Sequence, residues 1–319
     1  MSEELLSVVV RRREMQAEGV VVLELVDTSG QPLPVFDAGA HIDLHLGNEL
    51  VRQYSLCSDP ADTSVYRVGI LKDPQSRGGS IAVHERLHEG VELQISAPRN
   101  LFPLAADSGR SVLIGGGIGI TPMIAMAYAL QAAGKHFDLW YCGRSRSSCA
   151  FVDDLKASAF AGQVHFHFDD EHNGQGVNLD QVFEGTDGST HMYTCGPAGF
   201  MEWVMKTAAS KGFSDDRIHK EFFQVELETG GEAFEVVAKR SGKTVQVAAD
   251  QTIVEALATV GIKVRMSCEQ GICGTCLCDV LEGEPEHRDQ FLTDDEKEDN
   301  DQILLCCSRS RSPRLVLDI

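Results

Sequence analysis

SCEQGICGTCLCDV, residues 267–280, places four cysteines within eleven positions, and six more lie elsewhere, among them the adjacent Cys306 and Cys307. Cys268, Cys273 and Cys276 are spaced C-x4-C-x2-C, with 29 residues between Cys276 and Cys306. The sulfurs could hold each other, a zinc ion or an iron cluster. The N-terminal stretch has too short an apolar run for a signal peptide, and its charges stand in the wrong order. No stretch approaches the roughly 20 apolar residues of a membrane span. The expectation is a soluble, cytoplasmic protein, and in that reducing compartment clustered thiols bind metal or do redox chemistry more often than they pair.

Zinc sites usually offer two short CxxC-like knuckles. Here the second is missing, and Cys306-Cys307 is not expected to supply it, because neighbouring side chains of an extended strand point to opposite faces. The spacing is the one seen around plant-type [2Fe–2S] clusters. Four thiolates, two irons and two sulfides carry negative charge that nearby donors must offset. Gly271 and Gly274 predict a loop wrapped so that backbone N–H groups point at the sulfurs. The expected metal ligands are Cys268, Cys273, Cys276 and Cys306, and the loop resembles plant-type ferredoxin. Cys278 and Cys307 read as ordinary core thiols.

At 319 residues the chain is longer than a usual single domain. A net charge of −20 argues against a broad basic face for nucleic acid or an anionic membrane. Three textures follow one another. Residues 1–104 show period-two apolar patterns such as VVVLELV and HIDLHL, broken by TSGQPLP and GNE, and predict an antiparallel β-barrel. Residues 105–227 alternate short apolar strands with helical stretches, the pattern of a parallel α/β sheet. After a linker at 228–232, residues 233–319 read as a hairpin, a helix and the cysteine loop, an α+β unit of β-grasp type.

RQYSL, residues 52–56, resembles the RxYS element of the ferredoxin-NADP reductase superfamily. The resemblance implies that Tyr54 stacks on a flavin, that Ser55 lies near its reactive nitrogen and that Arg52 reaches its phosphate. Some 25 residues on, RGGS opens a helix whose N-terminus suits a phosphate, through the backbone of Gly78 and Gly79 and a cap from Ser80. FMN is expected over FAD.

LIGGGIGITPMIAMA is not the Rossmann fingerprint, whose third glycine is absent. It resembles the superfamily's glycine loop, in which Gly115, Gly116, Gly117 and Gly119 let a pyrophosphate approach. Thr121 is expected to cap the next helix and Pro122 to sit in its first turn. YTCGPAGFM resembles the CGP element, with Cys195 near the nicotinamide and Gly196-Pro197 turning the chain. Phe223 in HKEFFQ fits the aromatic that covers the flavin face and yields to nicotinamide. Arg144 and Arg146 could grip a 2′-phosphate, bind pyrophosphate or face solvent, and no acidic residue stands beside them in sequence. NADH and NADPH both remain open here.

The order flavin barrel, nicotinamide domain and C-terminal ferredoxin resembles the phthalate dioxygenase reductase family over essentially the whole chain. The resemblance implies FMN, a [2Fe–2S] cluster, NADH and delivery of single electrons to the Rieske centre of a separate aromatic-ring oxygenase. A reductase for a diiron monooxygenase usually carries its ferredoxin first. A non-catalytic electron carrier or redox-sensing module is the reading from a different class. The acidic stretch 282–301 is expected to dock a basic patch on the partner or to be a solvated loop.

Overall fold

The computed structural model describes residues 5–47, 50–225, 228 and 230–319. Thr229 of the expected linker, Glu226 and Leu227 before it, Met1–Glu4, and Asn48 and Glu49 of the GNE turn lie outside the described residues. The chain forms two compact units, Met1–Phe223 and Gln224–Ile319. Among the described residues no helix is long and apolar enough to cross a membrane.

The first unit begins with β1 (Leu5–Ala17), β2 (Val20–Asp27), β3 (Ala40–His45), β4 (Val51–Ser55), β5 (Tyr66–Leu71), α1 (Gly79–Arg86), β6 (Glu92–Ser96) and β7 (Arg99–Asn100). The strands run in the order β4-β3-β6-β1-β2-β5, with β7 beside β3. An antiparallel bridge between Leu56 and Val68 ties the end of β4 back to β5. The sheet thereby closes into the expected barrel, which removes its open edges. VVVLELV departs from strict alternation: Val20, Val21, Val22 and Leu23 are all buried. Both faces of β2 are therefore covered. A Cβ on Gly69 of neighbouring β5 would meet the Phe151 ring at 2.8 Å, so this side of the barrel is packed from outside as well.

Next come β8 (Arg110–Gly116), α2 (Ile120–Ala132), β9 (His136–Gly143), α3 (Val152–Ala157), β10 (Val164–Phe168), α4 (Leu179–Val182), β11 (Thr190–Cys195), α5 (Ala198–Ser210) and β12 (Ile218–Glu221). The five strands pair in parallel in the order β10-β9-β8-β11-β12. Nearly uninterrupted apolar strands suit such a sheet, because helices cover both faces. The strand order reverses between β8 and β11, and a crevice opens at the carboxyl ends there. One apolar core runs from Leu23 and Ile70 of the barrel through Met123 and Met126 of α2 to Tyr141 of β9. That shared core makes barrel and parallel sheet one compact unit. Each fully buried Leu, Ile or Met in it contributes about 1.5–3 kcal/mol of transfer free energy.

The second unit contains β13 (Phe234–Ala238), β14 (Lys243–Val247), α6 (Ile253–Thr259), β15 (Leu277–Glu282), β16 (Pro285–Glu286), α7 (Asp294–Asp299), β17 (Gln302–Leu304), β18 (Arg309–Ser310) and β19 (Arg314–Leu317). Its main sheet has the order β14-β13-β19-β15-β17, with β13 and β19 parallel and the other pairs antiparallel. The α6 helix starts at a capping box, Thr252 with Glu255, and puts Ile253, Ala256 and Leu257 into the core. One core helix, α6, on a mixed sheet, with the short exposed α7 outside the core, gives the expected α+β arrangement.

Candidate redox site

Arg52, Tyr54 and Ser55 lie on β4, paired with Leu44, Ile42 and His41 of β3. Tyr54 is half-buried against the core, and burial pushes its hydroxyl well above the usual range. The Arg52 guanidinium donates to the Arg77 carbonyl at 3.0 Å, at the start of the RGGS turn. A Cβ on Gly79 would lie 2.3 Å from Arg52 Cγ, so only glycine lets this side chain cross the first turn of α1. Gly78 is the N-cap, and no side chain caps the helix. Ser80 is therefore not the cap: it sits inside the first turn, and its hydroxyl accepts from the Asp73 N–H at 3.1 Å. An uncapped, glycine-lined helix start with an arginine across it suits a phosphate. Arg52, Tyr54 and this turn fit a flavin mononucleotide.

In the glycine loop, Gly117 has φ +56 and nothing within 4 Å of the place a Cβ would take. It is the one of the four glycines beside which an added side chain would meet open space. The others serve packing: Gly115 lies against Ile120, Gly116 against Phe200, and a Cβ on Gly119 would stand 2.3 Å from the Cys195 carbonyl oxygen. Thr121 does not cap α2 either. The helix starts at Ile120 with Gly119 as N-cap, and the Thr121 hydroxyl donates back to the Ile118 carbonyl at 3.0 Å. Pro122 falls in the first turn as expected, where its missing N–H costs nothing.

Cys195 ends β11, with Gly115 of β8 on one side and Glu221 of β12 on the other. Pro197 is the N-cap of α5. Cys195 is fully buried, and burial together with the Glu221 carboxylate holds its thiol well above the usual range. The Ser55 hydroxyl donates to Glu221 Oε2 at 3.1 Å. Burial pushes the Glu221 carboxyl up to about 8, against the lowering effect of Ser55. The structure thus gathers Ser55, Cys195 and Glu221, which join the barrel to the sheet crevice. Glu221 was missed in sequence: it stands two residues before Phe223 inside a four-residue strand, and only strand pairing puts it beside Cys195. Phe223 is half-buried against the same core. Phe222 lies under the Lys220 ammonium, 5.8 Å from its ring centre. The trio can hold a proton near neutral pH, with Ser55 and Cys195 buried and Glu221 partly exposed.

In the second unit Cys268, Cys273, Cys276 and Cys306 are all buried. The Cys268 thiol meets those of Cys273 and Cys306, and Cys306 also meets Cys276 and Cys307. These contacts hold Cys268 far below the usual thiol range and push Cys306 up. The Gln270 and Ile272 N–H groups each donate to Cys268 Sγ at 3.4 Å. Gly271 and Gly274 both have left-handed φ, and a Cβ on Gly274 would strike the Phe291 ring at 2.4 Å. Cys306 and Cys307 do not lie in an extended strand. They sit in a turn with Leu305, which brings both thiols to one side. Among the described residues no three His, Cys, Asp or Glu side chains are grouped to hold a single ion. A two-iron cluster asks only two thiolates of each iron, and four soft sulfurs beneath N–H donors fit it.

A flavin-type barrel joined to a nicotinamide crevice, on a chain that also carries a four-thiol loop, defines an iron–sulfur oxidoreductase. The model for an oxidoreductase NAD-binding domain matches residues 113–206, and that for a 2Fe-2S iron-sulfur cluster binding domain matches residues 236–311. A vanillate O-demethylase oxidoreductase of a Pseudomonas species is 48% identical over 99% of this chain and 100% of its own. The solved structure of phthalate dioxygenase reductase, a modular structure for electron transfer from pyridine nucleotides to [2Fe–2S], has 35% identity and a TM-score of 0.77, covering 99% of this chain and 98% of its own. An intact type IV self-sufficient cytochrome P450 monooxygenase has 40% identity and a TM-score of 0.85 over 99% of this chain, which spans 41% of that protein. The chain belongs to the phthalate dioxygenase reductase family, in which vanillate O-demethylase oxidoreductases fall.

Proposed function

We propose that this protein is the reductase component of an aromatic-ring oxygenase or demethylase whose partner carries a Rieske centre. A nicotinamide crevice and a four-thiol loop stand in one chain, and this carries the reading. The relative that is 48% identical over its whole length is named for vanillate O-demethylation. Together a bound flavin and a two-iron cluster supply the change from paired to single electrons that no side chain performs.

The chain's own residues bind and orient. Arg52 and the Gly78–Gly79 turn hold the flavin phosphate, and Tyr54 and Phe223 cover its ring. Gly117 admits the coenzyme pyrophosphate beside Gly196 and Pro197. Ser55, Cys195 and Glu221 line the place where the two rings meet, exclude water and keep a proton at the Glu221 carboxyl. Cys268, Cys273, Cys276 and Cys306 hold the irons. The division into a barrel at 1–104, a nicotinamide domain at 105–227 and a ferredoxin at 233–319 belongs to the same proposal. So does a cytoplasmic location, where thiols stay reduced.

The test is stopped-flow mixing of NADH-reduced protein with an oxidised Rieske oxygenase of vanillate-demethylase type. Loss of the partner's oxidised absorbance at a rate matching turnover supports the reading. Full reduction of this protein with no transfer to such a partner overturns it. The likeness to part of a P450 monooxygenase makes a haem protein the second partner to mix.

A further inference from the structure

The loops after β9 and β10 are joined more closely than their sequences suggest. The Asp170 N–H donates to the Arg144 carbonyl at 3.0 Å, which ties one loop to the other. Arg146 crosses the same gap. Its Nε donates to Glu171 Oε1 at 3.0 Å and its Nη2 to Oε2 at 3.4 Å, a two-point pairing. Its guanidinium also lies over the Phe168 ring, 4.5 Å from the centroid. Asp169, Asp170 and Glu171 occupy successive positions of one short 3-10 turn.

In a parallel sheet that binds a dinucleotide at its switch point, the adenosine ribose sits over the carboxyl end of the strand next to the phosphate-binding strand. Here that strand is β9, and the loop it feeds carries Arg144 and Arg146. A phosphate on the 2′-oxygen needs an arginine with its fork free. A bare 2′-hydroxyl is served by a carboxylate. The geometry points to Glu171 as the residue that selects NADH over NADPH: it occupies the Arg146 fork, Phe168 fixes the guanidinium plane, and the acidic turn repels a 2′-phosphate. The inference rests on the functional reading above, with NADH as the coenzyme the family resemblance implies, and adds the residue that makes the choice. It also answers the absence of an acidic residue beside Arg146 in sequence, because the neighbouring strand supplies one.

The experiment measures binding and turnover separately. Dissociation constants for 5′-AMP and for 2′,5′-ADP are taken by calorimetry on wild type, Glu171→Gln and the double variant Glu171→Gln/Arg146→Ala. Removing one negative charge and freeing one fork is worth about tenfold at this exposed position. Glu171→Gln is expected to bind 2′,5′-ADP about tenfold more tightly with 5′-AMP changed little, and adding Arg146→Ala is expected to erase that gain. The ratio of kcat/KM for NADPH to that for NADH should rise in parallel. Equal affinity of wild type and Glu171→Gln for 2′,5′-ADP overturns the inference, as does a gain that survives loss of Arg146. If the binding shift occurs while NADH fails to reduce any bound flavin, the oxygenase-reductase reading falls and this inference stands.

Discussion

Ser55 and Glu221, 166 positions apart in the chain, share a 3.1 Å hydrogen bond at the seam between the barrel and the parallel sheet. The carboxyl end of β12 brings Glu221 against Cys195, and the end of β4 brings Ser55 to Glu221. A side chain that burial keeps protonated up to about pH 8 thus stands at the seam where the proposed function puts flavin and nicotinamide together.

Flavin reduction by NADH should therefore fall as pH rises through about 8. Above that value Glu221 adds a negative charge beside a centre that must accept electrons. Glu221→Gln, neutral at every pH, should lose this dependence and hold the low-pH rate within about threefold. Stability carries the same sign. A carboxyl whose folded value is raised contributes stability that is whole at low pH and lost as pH climbs through that value. The melting temperature of Glu221→Gln minus that of wild type should widen from about pH 4.5 to about 8 and level off above it, and a constant difference would contradict the raised-carboxyl reading.

Cys273→Ser should leave reduction of the flavin by NADH within about twofold of wild type while cytochrome c reduction drops by about a hundredfold or more. Iron and acid-labile sulfide should be absent from the variant. Persistent one-electron output without cluster absorbance would remove Cys273 from the set of ligands.

Two glycines two positions apart, Gly117 and Gly119, should respond differently. At Gly119 a methyl group meets the Cys195 carbonyl at 2.3 Å. Gly119→Ala should cost about 2 kcal/mol or more through displaced backbone. Gly117→Ala meets open space but keeps a left-handed φ, and should cost about 1 kcal/mol. Chemical denaturation resolves the order, and the reverse order would refute the close approach at Cys195.

Docking through the acidic 282–301 stretch predicts salt-sensitive turnover. The kcat/KM for the partner should fall steeply between about 20 and 300 mM salt, as the screening length shrinks below the span of the patch. The exposed Asp295 and Glu298 of α7 offer the variant Asp295→Asn/Glu298→Gln, expected to lower that kcat/KM about threefold with cytochrome c reduction unchanged. Turnover indifferent to salt would leave the stretch a solvated loop.

The local rules of the chain carried much of this protein. Period-two runs give the barrel strands, short apolar runs alternating with helices give the parallel sheet, and the cysteine spacing names the iron cluster, because each depends on neighbours within a few turns of chain. Tertiary structure decided what depends on long-range pairing. The pairing of β11 with β12 sets Glu221 beside Cys195. Adjacent loops give Arg146 its partner Glu171, while Ser80 and Thr121 bond to nearby backbone and leave two helix starts uncapped. A closed barrel sharing one core with a sheet brings distant residues within hydrogen-bond reach, and the length of chain between them holds no record of that distance.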